Sequence, residues 1–159
     1  MSAKALSKNG APSSELRTVI ICEDLESGKQ AKELEDHLFL TLNSRIRFVP
    51  EAWTFGALQH PQLQDLAARQ INQADIILFS IRGEAGLPAG IKSWLENHLA
   101  PADRPRALVA LFGHPISAKQ LHSTRLYLEQ IAANRSLDFF AHAHEGDLKR
   151  EQAVLADAL

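Results

Sequence analysis

The pattern of apolar and polar positions along the chain predicts five β-strands. Three of them, residues 17–22, 76–79 and 107–112, are nearly unbroken apolar runs. A strand with one side in water alternates between apolar and polar residues, so these runs predict strands buried on both faces of a sheet. Residues 45–53 alternate and carry basic residues and a proline, which are typical of an edge strand. Residues 137–143 form the fifth predicted strand.

Amphipathic segments between the strands predict four helices. Two of them begin at capping boxes, at Ser27 and Ser117, each followed three positions later by a glutamine. The other two begin at Pro61 and Pro88, because proline suits the first turn of a helix. A further covering helix is predicted over residues 147–159. The residues expected to face the core are Ala31, Leu34, Leu38 and Leu42; Leu63, Leu66, Ala67 and Ile71; Ile91, Trp94, Leu95 and His98; and Leu121, Thr124, Leu128 and Ile131.

The alternation of strands and helices predicts the fold class. Parallel strands joined by right-handed helical crossovers are the expected outcome of such a pattern. Five strands in a chain of this length fit a three-layer α/β/α sandwich with a parallel sheet of order 2-1-3-4-5, which is the flavodoxin-like arrangement. Residues 1–15 are rich in small and polar residues and are predicted to form a disordered tail. Residues 16–159 are predicted to form one flavodoxin-like domain.

Composition narrows the classes of partner. The 159 residues carry a net charge of -2, so no cationic surplus favours nucleic acid or an anionic membrane surface. Cys22 is the single cysteine, which excludes an intrachain disulfide and is typical of a reducing compartment. The sequence has no apolar run of roughly 20 residues and no secretory signal at its start. We therefore expect a cytoplasmic protein without a membrane span.

Candidate chemistry gathers at the carboxyl ends of the strands, where open parallel sheets bind ligands. Glu23 and Asp24 follow the first strand, and adjacent carboxylates there could hold Mg²⁺. They could equally begin a helix, whose positive end favours acidic residues. Ser27 and Gly28 could offer a hydroxyl and an amide to a phosphate, although a capping box accounts for Ser27 as well.

The remaining candidates lie in the other loops of the same edge. Arg82 and Gly83 could bind an anion through backbone amides and a guanidinium, or form a solvated loop. Trp53 could stack on a planar ligand, or pack at a strand end. Gly113 and His114 follow the fourth strand and complete the set of cofactor-binding candidates.

The histidines and the single cysteine are weaker indications of a functional site. His142 and His144 lie two positions apart on a strand and share a face, but a third zinc ligand is not apparent. Cys22 lies inside an apolar run and is expected to be a small core residue. The sequence has no nucleophile elbow, P-loop or dinucleotide-binding glycine fingerprint.

The stretch 19–24 resembles the first strand of response-regulator receiver domains, in which an acidic pair follows the strand and binds Mg²⁺. Glu23 and Asp24 match that pair. The family's phosphoacceptor aspartate corresponds to residues 80–82 here, which are Ser, Ile and Arg. The resemblance therefore implies a receiver-like interaction domain without phosphotransfer.

The stretch 74–94 resembles the middle of the flavodoxin-like NAD(P)H-dependent FMN reductases. Leu87, Pro88 and Lys92 match the spacing of the family's helix after the flavin-contacting loop. Residues 81–84 replace that family's proline-glutamate-tyrosine-asparagine loop. The resemblance implies FMN as cofactor, with the positions to test being Ser27, Gly28, Arg82, Gly83 and Gly113.

These observations favour a non-catalytic, flavodoxin-like or receiver-like module in protein interaction or signalling. The alternatives are an FMN-binding NAD(P)H-dependent reductase and a sensor of small anions. A protein partner or a second copy of the chain could pair with the edge strand at residues 45–53. The face between the fourth helix and the fifth strand is the other candidate for a homodimer. Tyr127, Phe139 and Phe140 lie near it, and the adjacent Phe139 and Phe140 are expected to point to opposite sides of the strand.

Overall fold

A computed structural model describes residues 14–41, 46–83, 85–113 and 116–143. The strands are β1 (Ser14–Cys22), β2 (Ile46–Thr54), β3 (Ile76–Ile81), β4 (Ala107–Phe112) and β5 (Asp138–Ala143). The helices are α1 (Leu25–Thr41), α2 (Pro61–Gln73), α3 (Ala89–His98) and α4 (Ala118–Asn134), with a 3₁₀ turn at Ala57–Gln59.

The five strands form one parallel sheet of order β2-β1-β3-β4-β5, which confirms the predicted topology. β2 lies at an edge, as its alternating pattern indicated. Because successive side chains of a strand point to opposite faces, β1 and β3 contribute to two cores. Val19 and Phe79 pack with α2, α3 and α4 on one face, in what we call the larger core; the core on the other face is the smaller core. Ile20 and Leu78 pack with Ala31 of α1 on the other face.

The start of α1 differs from its prediction. The helix begins at Leu25, and Asp24 rather than Ser27 is its N-cap. Asp24 Oδ1 accepts from the Ser27 amide at 2.9 Å, and Ser27 Oγ accepts from the Asp24 amide at 3.1 Å. The sequence contains two overlapping capping signals, and the reciprocal bonds of the earlier one satisfy two amides at once. The predicted cap of α4 is confirmed, since Ser117 Oγ accepts from the Gln120 amide at 3.2 Å.

Smaller differences arise from tertiary pairing. β1 begins at Ser14 rather than residue 17, because it pairs with β2 from Ile46 onward. The predicted boundary between tail and domain therefore lies inside β1. Leu66 was expected in the core but is 40% exposed, and Ala68 is buried instead. The predicted helix at residues 147–159 lies outside the described residues, as does most of the predicted tail.

Two further expectations concern disulfide bonds and membrane-spanning helices. Cys22 is buried and its thiol is free, so the chain's one cysteine forms no disulfide. None of the described helices is long and apolar enough to cross a membrane.

Arg106, directly before β4, connects the amino-terminal end of that strand to the C-terminal end of α2. It is only 5% exposed, and its guanidinium donates to the carbonyl oxygens of Ile71 and Ala74. Ile71 lies in the last turn of the helix and Ala74 is its C-cap, at the end where helix carbonyls lack their usual amide partners and carry partial negative charge. Arg104 donates to Gln73 and Ala74 from a more exposed position. The polar turn before β4 therefore caps α2.

We expect Arg106→Met to lower the free energy of unfolding by about 2 kcal/mol, because two buried carbonyls would lose a charged donor. The matched control is Arg104→Met, whose 40% exposed side chain makes similar bonds and should cost under about 1 kcal/mol. Urea unfolding followed by circular dichroism measures both values. Equal losses in the two variants would contradict a capping role that depends on burial.

Candidate functional site

The loops after β1 and β3 are bonded to each other at the carboxyl edge of the sheet. The two strands are neighbours, with Cys22 opposite Ser80 at the end of their register. The Glu23 amide continues the pairing by donating to the Ser80 carbonyl at 3.0 Å. The predicted candidates Glu23, Asp24, Arg82 and Gly83 therefore lie together, and we call these four residues the acidic latch.

The Glu23 carboxylate binds to two backbone amides in the loop that follows β3. Its Oε1 accepts from the Gly83 amide at 2.7 Å and from the Arg82 amide at 3.1 Å. Two successive amides that point at one oxygen form the kind of backbone nest that binds anions. The sequence predicted an anion site at Arg82 and Gly83, and in the structure the anion is a side chain of the same chain.

Gly83 leaves the space into which the Glu23 carboxylate fits. A Cβ at this position would lie 2.2 Å from Glu23 Oε2 and 2.9 Å from its Cδ. Both distances are far below an ordinary van der Waals contact. The glycine is therefore explained by the space that the Glu23 carboxylate occupies.

Asp24 completes the latch on the other side. Its Oδ2 accepts from Arg82 Nη2 at 3.1 Å, and its Oδ1 accepts from the Ser27 amide and, at 3.4 Å, from Arg82 Nε. The Ser27 amide, followed by hydrogen bonds with the Arg82 guanidinium and the Ser27 hydroxyl, lowers the pKa of the Asp24 carboxyl. Asp24 in turn raises the pKa of Arg82. Both side chains are about a third exposed or more, so solvent screens the ion pair.

Ser27 and Gly28 serve the start of α1. Ser27 is fully buried, and its hydroxyl accepts from the Asp24 amide and donates to the Asp24 carbonyl. Its own carbonyl accepts from Ser80 Oγ at 2.6 Å. A Cβ on Gly28 would lie 3.0 Å from Cys22 Sγ, so glycine allows close packing there. The hydroxyl predicted to meet a phosphate is therefore directed into the protein.

Gly113 lies beside the latch. A Cβ there would lie 2.8 Å from Gln30 Oε1 and 3.4 Å from Arg82 Cβ. Gln30 and Ser80 thus belong to this edge, although neither was predicted as a site residue. Ser80 was detectable as a hydroxyl within the apolar run of β3, whereas nothing local to Gln30 placed it beside β4.

Trp53 and the histidines stand apart from the latch. The Trp53 indole packs against the larger core, and its Nε1 donates to Gln70 Oε1 of α2 at 2.6 Å. His142 is exposed on β5, while His114 and His144 lie outside the described residues. In the part of the chain that the structure describes, no group of three or more His, Cys, Asp or Glu side chains could hold a metal ion.

The latch bears directly on the two predicted cofactors. A magnesium ion at Glu23 and Asp24 would compete with the Arg82 guanidinium, which already pairs with Asp24, and with the two amides bonded to Glu23 Oε1. An FMN phosphate would meet the same amides and would lie beside two carboxylates. Both cofactors stay predictions, and each would compete with bonds that the latch already makes.

Comparisons with known proteins identify the fold and no more. No protein-family model and no curated protein sequence matches the chain. Among solved structures, it is similar to the flavodoxin of Streptococcus pneumonia TIGR4, with a TM-score of 0.52 and 10% identity. The match covers 85% of this chain and 91% of the flavodoxin chain. Together with the sheet order, this similarity shows a flavodoxin-like α/β fold.

We expect Gly83→Ala to lower the free energy of unfolding by about 2 kcal/mol, because the added methyl would separate Glu23 from its amides. The matched control is Gly90→Ala, where a Cβ meets nothing within 4 Å and where helix propensity favours alanine by up to about 1 kcal/mol. In a Glu23→Ala background, Gly83→Ala should cost much less, since the clash is gone. Equal costs in both backgrounds, measured by urea unfolding, would contradict the contact with Glu23.

The latch also predicts an acid-sensitive contribution to stability. Because folding lowers the pKa of the Asp24 carboxyl below that of an aspartate in the unfolded chain, its stabilisation is fully present above the unfolded-state pKa and is lost as pH falls through the folded-state pKa. The difference in unfolding free energy between wild type and Asp24→Asn should be constant above about pH 5 and shrink in more acidic solution. The control is Asp36→Asn, at an exposed carboxylate that pairs with Lys32 on α1. This variant should lose unfolding free energy in acidic solution as the wild type does. Urea unfolding across this pH range measures the stability of both variants. If Asp24→Asn loses as much unfolding free energy in acidic solution as the wild type, Asp24 is not the source of the acid-sensitive stability.

Proposed function

We propose that this flavodoxin-like domain is a non-catalytic module that acts through protein interaction, in signalling or assembly. The observation that carries the proposal is the bond of the Glu23 carboxylate to the Arg82 and Gly83 amides. In open parallel sheets this edge is where ligands are bound. Here its anion-binding amides already have an acceptor in the same chain.

The surroundings of Glu23 support the same proposal. Asp24 lies beside it, and Glu26 adds a third acidic residue in the first turn of α1. A phosphate at this edge would compete with Asp24 for the Arg82 guanidinium and would be repelled by the neighbouring carboxylates. The Ser27 hydroxyl is committed to the helix start. A cofactor with a phosphate group therefore has few free donors among these residues.

The interaction surfaces that support a protein partner or a homodimer are exposed strands and apolar side chains. β5 is an edge strand without a proline, whereas Pro50 removes one amide donor from β2, the opposite edge strand. Phe140 on β5 is 58% exposed and Leu126 on α4 is 46% exposed. Phe140 lies on the α1 face of the sheet, since its partner Val109 packs against the core on that face, whereas α4 lies on the other face, so the two side chains are separate candidate contact points. The proposal includes a cytoplasmic location, which the free thiol of Cys22 supports.

A sensor of small anions is the second candidate, and one observation favours it. The Arg82 and Gly83 amides do hold a carboxylate at hydrogen-bonding distance, so their geometry suits an oxyanion. An external anion that displaced Glu23 would also meet the Arg82 guanidinium. Such an exchange would release the loop after β1, which is how binding could be signalled.

The experiment that separates these functions is a titration with FMN, followed by flavin absorbance and fluorescence. We expect no saturable change with the wild-type protein at FMN concentrations far above the micromolar range, because Glu23 holds the amides. The variant Glu23→Ala frees them, and Glu26→Ala is the matched control because it removes the same charge from the first turn of α1. Phosphate binding by wild type that Arg82→Gln abolishes would favour the anion sensor.

Saturable FMN binding by the wild-type protein, with a perturbed flavin spectrum, would contradict the proposal. NAD(P)H oxidation by the FMN-loaded protein would then be the next assay, as the reductase alternative requires. Binding only by Glu23→Ala would support the proposal, since it would show that the latch excludes the cofactor.

A further inference from the structure

A groove of about 490 Å³ lies between α1 and the edge strand β2. Its floor contains Ile20 and Cys22 of β1, and Ala52 of β2 forms part of its wall. These three residues share one face of the sheet, because Ile20 is opposite Ala52 and Cys22 is opposite Thr54 in the register. The groove is thus on the α1 face of the sheet, whereas the acidic latch lies beyond the strand ends.

Small side chains create this space. Gly28 on α1 and Ala52 on β2 line the groove where larger residues would close it. Ile20 and Cys22 are only 2% and 3% exposed, so the groove reaches the smaller core of the protein. Leu25 is 83% exposed and extends the apolar surface at the mouth. A volume of roughly 300–1,000 Å³ is usual for sites that bind small molecules.

The floor of the groove carries no charge. Burial and the nearby Asp24 raise the pKa of the Cys22 thiol to about 11, so the thiol is neutral near pH 7. Its Sγ donates to the Trp53 carbonyl at 3.5 Å. The Thr54 hydroxyl accepts from the Ala57 amide at 3.2 Å. The deeper part therefore suits an apolar group.

The rim of the groove is cationic. Lys29 and Lys32 of α1 both line it, three positions apart on the same side of the helix. Lys32 pairs with Asp36 at 3.1 Å, an exposed i,i+4 pair whose stabilisation is small and which a ligand could replace. Glu51 also borders the groove, but strand alternation directs its side chain to the opposite face, because its register partner Val19 belongs to the larger core.

We infer that this groove binds a small amphipathic anion, with an apolar chain on Ile20, Cys22 and Ala52 and a carboxylate or sulfate head at Lys29 and Lys32. Charge complementarity at the rim selects an anionic head over a neutral one. Pro50 lies in the adjoining edge strand and has no amide to donate, which disfavours a peptide added as a further strand. A small ligand is therefore favoured over an extended protein segment.

The test is a titration of the ¹⁵N-labelled protein with sodium decanoate, followed by two-dimensional NMR. We expect saturable shift changes at the amides of Cys22, Gly28 and Thr54. Decan-1-ol has the same chain without the charge and should bind about tenfold more weakly, a difference that corresponds to about 1.4 kcal/mol. The double variant Lys29→Gln, Lys32→Gln should weaken decanoate binding by about the same factor and leave decan-1-ol unaffected.

A second variant tests the groove itself. Ala52→Trp fills the space from an exposed edge position that tolerates aromatic residues, and it should abolish binding of both probes. Its matched control is Ala141→Trp at an exposed position of β5, the opposite edge strand, which should leave binding unchanged. Lys119→Gln, at an exposed lysine of α4, is the control for the lysine pair.

Three results would overturn the inference. They are shift changes that do not saturate, changes centred on Arg82 and Gly83 instead of the groove, and equal binding of decanoate and decan-1-ol that the lysine variants leave unaltered. If Ala52→Trp fails to fold, the lysine pair and the two probes still decide the outcome. None of these measurements depends on FMN binding, so this inference and the proposed function can fail separately.

Discussion

The pairing of β1 with both of its neighbours is the constraint on which the described structure depends. β1 is bonded to β2 along its whole length and to β3 over its second half. Backbone donors and acceptors in a buried strand must be paired within the protein, since water cannot reach them. The Glu23 amide extends this pairing by one residue beyond the strand. The position of both acidic residues at the sheet edge follows from that extension.

The acidic latch converts a general ligand-binding edge into an internal contact. Backbone amides after a strand form a ready anion site, and Glu23 supplies the anion without any diffusing partner. An intramolecular acceptor is always present at high effective concentration, so an external anion must compete with it. This competition is the physical basis for proposing an interaction module in place of an FMN enzyme. Flavodoxin similarity alone does not decide the point, because one fold supports many functions.

The groove beneath α1 and the latch differ in chemistry although they share the start of that helix. The latch is polar, partly exposed and internally neutralised by Arg82. The groove has an apolar floor and lysines only at its rim. Asp24 links the two regions, since it caps α1 and also raises the pKa of Cys22 in the floor. Asp24 therefore belongs both to the latch and to the helix start that borders the groove.

The sequence by itself determined the strands, most helix limits and the sheet order. Unbroken apolar runs such as residues 107–112 report burial on both faces, and strict alternation with helices admits few topologies. It also placed Glu23, Asp24, Arg82 and Gly83 at one edge, because parallel strands end together. Local patterns suffice for these features, since they depend on the periods of strand and helix.

Only the tertiary structure decided which groups are bonded to each other. Glu23 and Gly83 are 60 positions apart, and no local pattern shows that one would hold the other. Asp24 caps α1 through local bonds with Ser27, and the long-range contact at this helix start is the bond from Ser80 Oγ of β3 to the Ser27 carbonyl. Burial of Arg106 likewise required the carbonyls at the end of α2, more than 30 positions away. Such choices rest on long-range contacts, whose partners are set by packing and not by neighbouring residues.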